Sequence, residues 1–357
     1  MSDCVTTETS SLQPLLTVVV PVYNVSPYLE RTLQSVVDAV VEWSKSEVRS
    51  HFDFATVEVI CVDDGSTDRS GELADKFASE HSDCEGLVWQ VIHQANAGVS
   101  AARNAALDVA TGEWVMMLDG DDTWSSDLLV KLFDAVKHYP ACDAVCFGNV
   151  KVDEHGNECG SIGAPDVAAA VMSGDEILMD GRGPYSKFCW CVWDKMYRRS
   201  VLECIRLRFV AGMRISEDTL FSVIYLAYAH QVILRPDVVG YRYLMRDGSA
   251  IHVQQMALPD QPFCIFETLY AHWQKLKTPG LRLRLYYVAA GLPSLGKGAG
   301  FATSVRSKAI EFLVFDETFN RRVMPFMLRY GGVKARVFAT VYLLCPCSLR
   351  RKLLESL

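Results

Sequence analysis

Two stretches, VEVICVDDGS (57–66) and WVMMLDGDD (114–122), decide how this 357-residue chain folds. Each is a short apolar run that ends abruptly in carboxylates, and Glu58 is the one polar residue inside the runs. Short apolar runs bounded by turn signals read as parallel strands buried on both faces. In open α/β sheets, ligands bind beyond the carboxyl ends of such strands. The chain is therefore expected to set five carboxylates, Asp63, Asp64, Asp119, Asp121 and Asp122, on one rim of one sheet. Like charges that close raise one another's pKa and repel, unless a cation or a donor-rich ligand sits among them. A divalent metal carrying a nucleoside diphosphate resolves that conflict, so the chain reads as an enzyme.

Working outward, strand and helix patterns alternate from residue 15 to residue 147. Leu15 to Val20 reads as a buried strand closed by Pro21. A helix begins near Pro27 with Ser26 as N-cap, and Leu29, Leu33, Val36, Val37, Val40 and Val41 form its apolar face. Ser66 or Thr67 with Asp68 can cap a helix through Phe77, and Leu87 to Ile92 is a third strand. Asn96-Ala97-Gly98 turns into an alanine-rich helix from Val99 to Ala110 that Gly112 ends. A helix from Ser125 to Lys137 and a strand from Ala144 to Phe147 follow the second acidic turn. Alternating βαβα order implies an α/β fold with a doubly wound, mostly parallel sheet and helices on both faces.

After residue 150 the pattern loosens. Asp153 to Gly163 reads as a hairpin or loop, and Ser173 to Met179 and Trp193 to Leu202 read as helices. Ser216 is expected to cap another helix, and Val232 to Leu234 and Val239 to Tyr243 are expected as short strands. From about residue 258 the chain is helical and basic, with breaks at Pro279, Pro293 and Gly331-Gly332.

Composition is close to that of globular domains, at 50% hydrophobic and 22% charged. Met1 to Pro14 lacks the basic start and apolar stretch of a signal peptide, and no uninterrupted apolar run reaches the roughly eighteen residues of a spanning helix. Twelve cysteines are scattered without a CxxC pair, and Cys189-x-Cys191 and Cys345-x-Cys347 are too close for a usual zinc finger. Reduced thiols in the cytoplasm are the expectation. Net charge is −8, but residues 271–357 carry 15 basic and 4 acidic side chains, so the remaining 270 carry −19. No basic stripe overlaps the acidic rim, which argues against nucleic acid as a partner. The basic tail permits peripheral contact with anionic headgroups on the inner face of the cell membrane. Within it, VKARVFATVYLL (333–344) puts Val333, Val337, Thr340, Val341 and Leu344 on one face, so it either lies on a membrane surface or packs on the body.

The ordered set TVVVPVYN (17–24), VICVDDGSTD (59–68), QANAGVSAARN (94–104), GEWVMMLDGDD (112–122), WDKMYRRSVL (193–202) and SEDTLF (216–221) resembles family 2 glycosyltransferases of the GT-A fold. The resemblance covers residues 15 to 250. It implies an inverting enzyme that moves a sugar from a nucleotide diphosphate donor, a UDP-sugar, to a hydroxyl of a glycan or lipid-linked acceptor. Members of this bacterial type commonly build capsule and other surface polysaccharide. The implied organisation is a flexible N-terminus (1–14), a nucleotide-sugar-binding half (15–125), an acceptor-binding half (126–257) and a basic helical C-terminal extension (258–357).

Asp119-Gly120-Asp121 matches the family's DxD metal motif. Hard carboxylate oxygens suit Mg²⁺ or Mn²⁺, with Asp121 the direct ligand and Asp119 nearer the ribose and the metal shell. A solvated Asp-Gly turn is the plain alternative. Asp64 resembles the residue that accepts from the N3–H of uracil or thymine, with Asp63 supporting it and Pro21, Val22 and Tyr23 walling the base. Arg103 matches a basic position that contacts nucleotide or phosphate. Direct displacement at the anomeric carbon needs a carboxylate on the face opposite the leaving group, and Asp218 is the candidate base, with Glu217 the runner-up and helix capping the alternative. The family pattern usually has Gly where Ser216 stands. Trp190, Trp193 and Lys195 are candidates to line the acceptor side, packing being their other reading, and His252 matches a place where the fold often supplies a third metal ligand.

GLPSLGKG (291–298) imitates the start of a P-loop, but Gly298 replaces the hydroxyl residue that would hold Mg²⁺, and it is read as a loop between helices. Two other readings stay open: a sugar nucleotidyltransferase, whose Gly-rich N-terminal signature PVYN (21–24) does not match, and a non-catalytic sugar-nucleotide or glycan-binding protein.

Overall fold

A computed structural model describes residues 14–53, 56–161, 167–180, 183–213, 216–246 and 261–291, and Leu349. His252, the P-loop imitation beyond residue 291 and the segment 333–344 lie outside them. The alternation expected from the sequence is observed, in the order β1 (Leu16–Val22), α1 (Leu29–Lys45), β2 (Val57–Asp63), α2 (Ser70–Glu80), β3 (Leu87–His93), α3 (Val99–Val109) and β4 (Trp114–Met117). Then come β5 (Thr123–Trp124), α4 (Leu128–His138), β6 (Ala144–Val152), β7 (Ala170–Met172), α5 (Gly174–Met179), β8 (Lys195–Arg198) and α6 (Arg199–Ile205). The last are α7 (Glu217–Tyr228), β9 (Val232–Leu244), α8 (Gln261–Leu276) and α9 (Pro279–Gly291).

The strands make one mixed sheet in the order β3-β2-β1-β4-β8-β6-β9-β5. The four at one side, β3-β2-β1-β4, are parallel, and β1, β2 and β4 are almost wholly buried, as strands covered by helices on both faces must be. Register puts Val22 opposite Asp63, so the chain leaves β1 and β2 at the same level, with the DGDD turn on the other side of β1. The rim expected from sequence is thus built around the end of β1.

Two expectations change here. Trp193 to Leu202 is not one helix: Lys195–Arg198 is a strand, antiparallel to β4 and β6, and only Arg199–Ile205 is helical. The apolar residues there alternate across a sheet rather than line a helix. The two short strands expected between residues 232 and 243 are one strand, β9, whose pairing with β6 shifts register between Phe147 and Asn149.

By contacts the chain divides into two units. The first comprises Met1–Val171, Trp193–Gly212 and Gln231–Arg246 and holds the sheet. The second comprises Met172–Val192, Met213–His230 and Asp247–Leu357. This differs from cuts at residues 125 and 257, because β6, β8 and β9 belong to the sheet of the first unit. In the second unit, α5 carries a complete capping box, Ser173 with Glu176. A Cβ on Gly174 would sit 1.9 Å from the carbonyl oxygen of Leu226, so glycine lets α5 lie directly on the α7 backbone. Pro279, expected as a break, is the first residue of α9, where its missing N–H costs nothing. Among the described residues no helix is long and apolar enough to cross a membrane.

Glu58, the polar exception inside β2, is buried and hydrogen-bonded through both carboxylate oxygens. It accepts from Thr17 Oγ1 at 2.5 Å, Thr111 N at 2.9 Å and Thr111 Oγ1 at 2.8 Å. Thr17 Oγ1 in turn accepts from Gly112 N at 2.9 Å, which ties the turn into β4 to β1 and β2. Replacing Glu58 by Ala leaves the buried Thr17 hydroxyl and the Thr111 donors without their acceptor and is expected to lower unfolding stability by about 2–4 kcal/mol, against about 1 kcal/mol for Glu58→Gln, as read from urea unfolding midpoints.

Candidate active site

The rim begins with the turn after β2. Asp63 Oδ1 accepts from Ser66 N at 3.0 Å, and its other oxygen lies 3.0 Å from His93 Nδ1. Burial pushes Asp63 up, but the Ser66 and His93 hydrogen bonds outweigh it and hold the carboxyl below its ordinary range. Asp64 points the other way, toward the loop before α3. It accepts from Gln94 Nε2 at 2.7 Å and from the backbone N–H groups of Ala97 at 2.9 Å and Gly98 at 2.8 Å. A carboxylate offers about four acceptor positions, so these three donors leave room for one more.

The end of β1 lies alongside. Asp64 N donates to Val22 O at 2.9 Å, and Tyr23 is half exposed just beyond, while Val22 itself is buried. Of the three residues expected to wall a base, Tyr23 therefore offers an open ring and Val22 only backbone. Asn24, in the left-handed region at φ 51°, holds the DDGSTD turn through its Oδ1, which accepts from Thr67 N at 2.8 Å. Two of the sequence motifs are thus one piece of structure.

On the other side of β1 is the DGDD turn. Arg103, buried on α3, donates from Nη2 to Asp119 Oδ1 at 2.8 Å and stacks its guanidinium 5.2 Å from the Phe209 ring centroid. Arg246, just past β9, donates from Nε to Asp121 Oδ2 at 2.7 Å. Gly120 carries no side chain where a Cβ would lie 3.0 Å from Pro21 O, so the turn packs against β1. Burial and then the neighbouring Asp119 raise the Asp121 carboxyl above its ordinary range, with Arg246 opposing them. Asp119 and Asp121 are thus two oxygen donors whose mutual repulsion a further cation would relieve.

Asp122, the fifth expected rim carboxylate, is a correction. It is buried and turned inward, accepting from Tyr241 Oη at 2.6 Å and Leu244 N at 2.7 Å. Burial, then Asp119 and Asp121, pushes it well above the ordinary carboxylate range. The same Tyr241 hydroxyl accepts from Asp119 N at 3.2 Å, so one phenol fastens the acidic turn to β9.

Two acceptor-side candidates are corrected as well. Lys195 is wholly buried in an ion pair with Asp194 and lines no surface. Trp193 is buried too, stacked on Tyr241 at 4.3 Å and Tyr243 at 5.9 Å between centroids. Trp190 is half exposed and belongs to the second unit, where Thr219 Oγ1 donates to its carbonyl at 3.2 Å and Ser222 Oγ donates to that of Cys191 at 2.8 Å. These bonds set Trp190 beside the first turn of α7, which carries Glu217 and Asp218. Ser216 does not cap that helix through its side chain. It sits in the left-handed region at φ 63°, a conformation that suits the glycine usual in the resembled pattern.

Among the described residues no group of three or more His, Cys, Asp or Glu is arranged to hold a metal. Asp119 and Asp121 nonetheless fit a hard divalent cation completed by phosphate oxygens, because magnesium-type sites commonly take only one or two carboxylates from the protein.

Glycosyl transferase family 2 matches residues 17–206, more than half of the chain, and the chain belongs to that family. It is 30% identical over 212 residues to the uncharacterized glycosyltransferase EpsJ of Bacillus subtilis, covering 59% of this chain and 55% of that one. It is 30% identical over 243 residues to the glycosyltransferase GlyA of Streptococcus pneumoniae, covering 67% and 32% respectively. The chain therefore spans between a third and somewhat over half of these relatives' length. In fold it is similar to S. aureus TarS 1-349, crystallised with UDP-GlcNAc, at a TM-score of 0.63 and 20% identity over 96% of this chain and 90% of that one. The GT-A type architecture expected from the sequence is the one observed.

Asp121 and Asp122 of the DGDD turn should separate in stability measurements. Asp122→Ala leaves the Tyr241 hydroxyl and Leu244 N–H without their buried acceptor and is expected to cost about 2–3 kcal/mol. Asp121, with its folded pKa raised, loses stability by being ionised near neutral pH, so Asp121→Asn should leave the thermal midpoint unchanged or raise it.

Proposed function

We propose that this family 2 member is an inverting, metal-dependent glycosyltransferase. It would move a sugar from a UDP-sugar to a hydroxyl of a glycan or lipid-linked acceptor in cell-surface polysaccharide synthesis. The observation that carries this reading is the pair of acidic turns flanking the end of β1, one with Asp64 holding an acceptor position over, the other with Asp119 and Asp121 each matched to an arginine. The relatives' names support sugar transfer, and the UDP-GlcNAc complex of TarS supports a UDP-sugar as donor.

In this account the sheet-bearing unit takes the donor. Asp64 accepts from the N3–H of the base, and the Tyr23 ring covers one face of it. Asp121 and Asp119 would hold Mg²⁺ or Mn²⁺, which would supply Lewis-acid neutralisation of the departing diphosphate. Arg246, whose guanidinium suits a phosphate oxygen as well as the Asp121 carboxylate it holds, would also contact the diphosphate. Arg103 acts through Asp119, holding that carboxylate in place by its hydrogen bond.

The second unit takes the acceptor. Asp218, in the first turn of α7, receives the acceptor hydroxyl's proton as that oxygen bonds to the anomeric carbon. The bond to the diphosphate breaks with its electron pair leaving on phosphate, which inverts the configuration. Trp190 offers an exposed aromatic face for a sugar beside that carboxylate.

A screen of nucleotide release across UDP-, dTDP- and GDP-sugars with Mn²⁺ or Mg²⁺ tests the reading. UDP-sugars should be turned over and the activity lost on chelation. Asp121→Ala should abolish turnover and weaken UDP binding. Asp218→Asn should lower kcat by at least about a hundredfold, the contribution of a general base, with UDP affinity kept. UDP binding without any turnover by the native protein would instead mark a non-catalytic binder.

A further inference from the structure

The pair His93-Gln94, where β3 ends, runs beside the first acidic turn and grips both of its carboxylates. Register sets Asp63 opposite His93, and Gln94 N donates to Asp63 O at 3.0 Å. The Gln94 side chain holds Asp64, as described above. His93 takes the other carboxylate: Nδ1 lies 3.0 Å from Asp63 Oδ2, and Nε2 lies 3.1 Å from Asp75 Oδ1 on α2. Both partners are acceptors only, and a neutral imidazole has one N–H to give. Only the imidazolium donates to both.

The surrounding chain makes room for this arrangement. A Cβ on Gly71, in the first turn of α2, would lie 2.6 Å from Asp63 Oδ2 and 3.4 Å from His93 Cε1. Any larger residue there would push the Asp63–His93 pair apart. Among the described residues the charged groups facing the ring are Asp63 from β2 and Asp75 from α2. The Cys61 thiol on β2, also near Asp75, is pushed by burial to about 12 and stays neutral.

We propose that His93 is a positioning residue for the donor: clamped as an imidazolium between Asp63 and Asp75, it fixes the turn that presents Asp64 and so sets affinity for the nucleotide base. The inference rests on the reading of Asp64 as the base-binding carboxylate. It agrees with the titration of the ring, since the hydrogen bonds to Asp63 and then Asp75 raise the His93 pKa, with burial opposing them. A raised histidine pKa means the clamp is complete below the ordinary histidine value and is lost as pH rises through the folded one. The imidazole is about half exposed, so the exchange with solvent protons is direct.

The test is UDP affinity by calorimetry at fixed Mg²⁺ from about pH 6 to pH 9 in the native protein, His93→Gln, Asp75→Asn and Asp64→Ala. The ratio of native to His93→Gln affinity cancels titration of the UDP phosphate. At pH 6 His93→Gln should bind about three- to tenfold more weakly, the range of a single net hydrogen bond, and the difference should close toward pH 9. In turnover the same variant should raise the donor KM with kcat unchanged. Asp75→Asn keeps an acceptor for Nε2 without its charge, so it should match the native protein at pH 6 and lose affinity at a lower pH. Asp75 is largely exposed, so this variant decides the matter even if His93→Gln folds poorly. A pH-independent ratio together with an unmoved Asp75→Asn midpoint overturns the inference while the Asp64 reading stands. UDP affinity untouched by Asp64→Ala removes that reading, and the inference with it.

Discussion

Asp119, Asp121 and Asp122 crowd three carboxylates into four residues, and mutual repulsion would open that turn unless each were answered by a partner. The answers come from three separate parts of the chain. Arg103 on α3 meets Asp119, Arg246 after β9 meets Asp121, and Tyr241 on β9 meets Asp122. The partners are unequal in kind. Arg103 and Tyr241 are buried and have no other place to go, whereas Arg246 sits at a partly open edge and can be exchanged. The turn is thus fixed at both ends by buried partners and held in the middle by a part-exposed one, which suits the proposed cation and diphosphate. Burial and the neighbouring Asp119 hold the Asp121 carboxyl above its ordinary range, with Arg246 opposing them.

Much of this was legible in the sequence because parallel strands announce themselves. β1, β2 and β4 are apolar runs ending in turn residues, and a parallel sheet puts their carboxyl ends on one rim. The motifs Asp63-Asp64 and Asp119-Gly120-Asp121 could be placed on that rim for the same reason. What the sequence hid was direction. Asp122 looks like a rim residue from its neighbours, yet it points into the core because Tyr241, well over a hundred residues away, supplies a buried hydroxyl. Trp193, with Lys195 beside it, read as a candidate acceptor lining because aromatic faces stack on sugars, with packing as the other reading. The adjacent Asp194 neutralises that lysine inside the sheet, and two tyrosines of β9 cover the tryptophan.

The residues missed at the site are of one type. Asn24, His93, Gln94, Tyr241 and Arg246 act by holding a motif residue rather than by belonging to the acidic motifs themselves. Three left traces: Asn24 is the asparagine of PVYN (21–24), Gln94 opens QANAGVSAARN (94–104), and Arg246 directly precedes Asp247-Gly248 after a predicted strand. Ser216 shows the opposite case, a residue whose cap role the sequence suggests and whose backbone is instead left-handed. That geometry turns the chain sharply into α7, whose first turn carries the part-buried Glu217 and Asp218.

The central claim is that Asp121 and a nucleoside diphosphate share one divalent ion, and linkage then requires each to tighten the other. Water-proton relaxation of Mn²⁺ measures this directly, titrated with and without UDP in the native protein and in Asp121→Asn. The account predicts that UDP tightens Mn²⁺ binding by about tenfold or more in the native protein, about 1.4 kcal/mol of coupling, and that the coupling disappears in the variant. Mn²⁺ binding that ignores UDP, or coupling that survives Asp121→Asn, would contradict it.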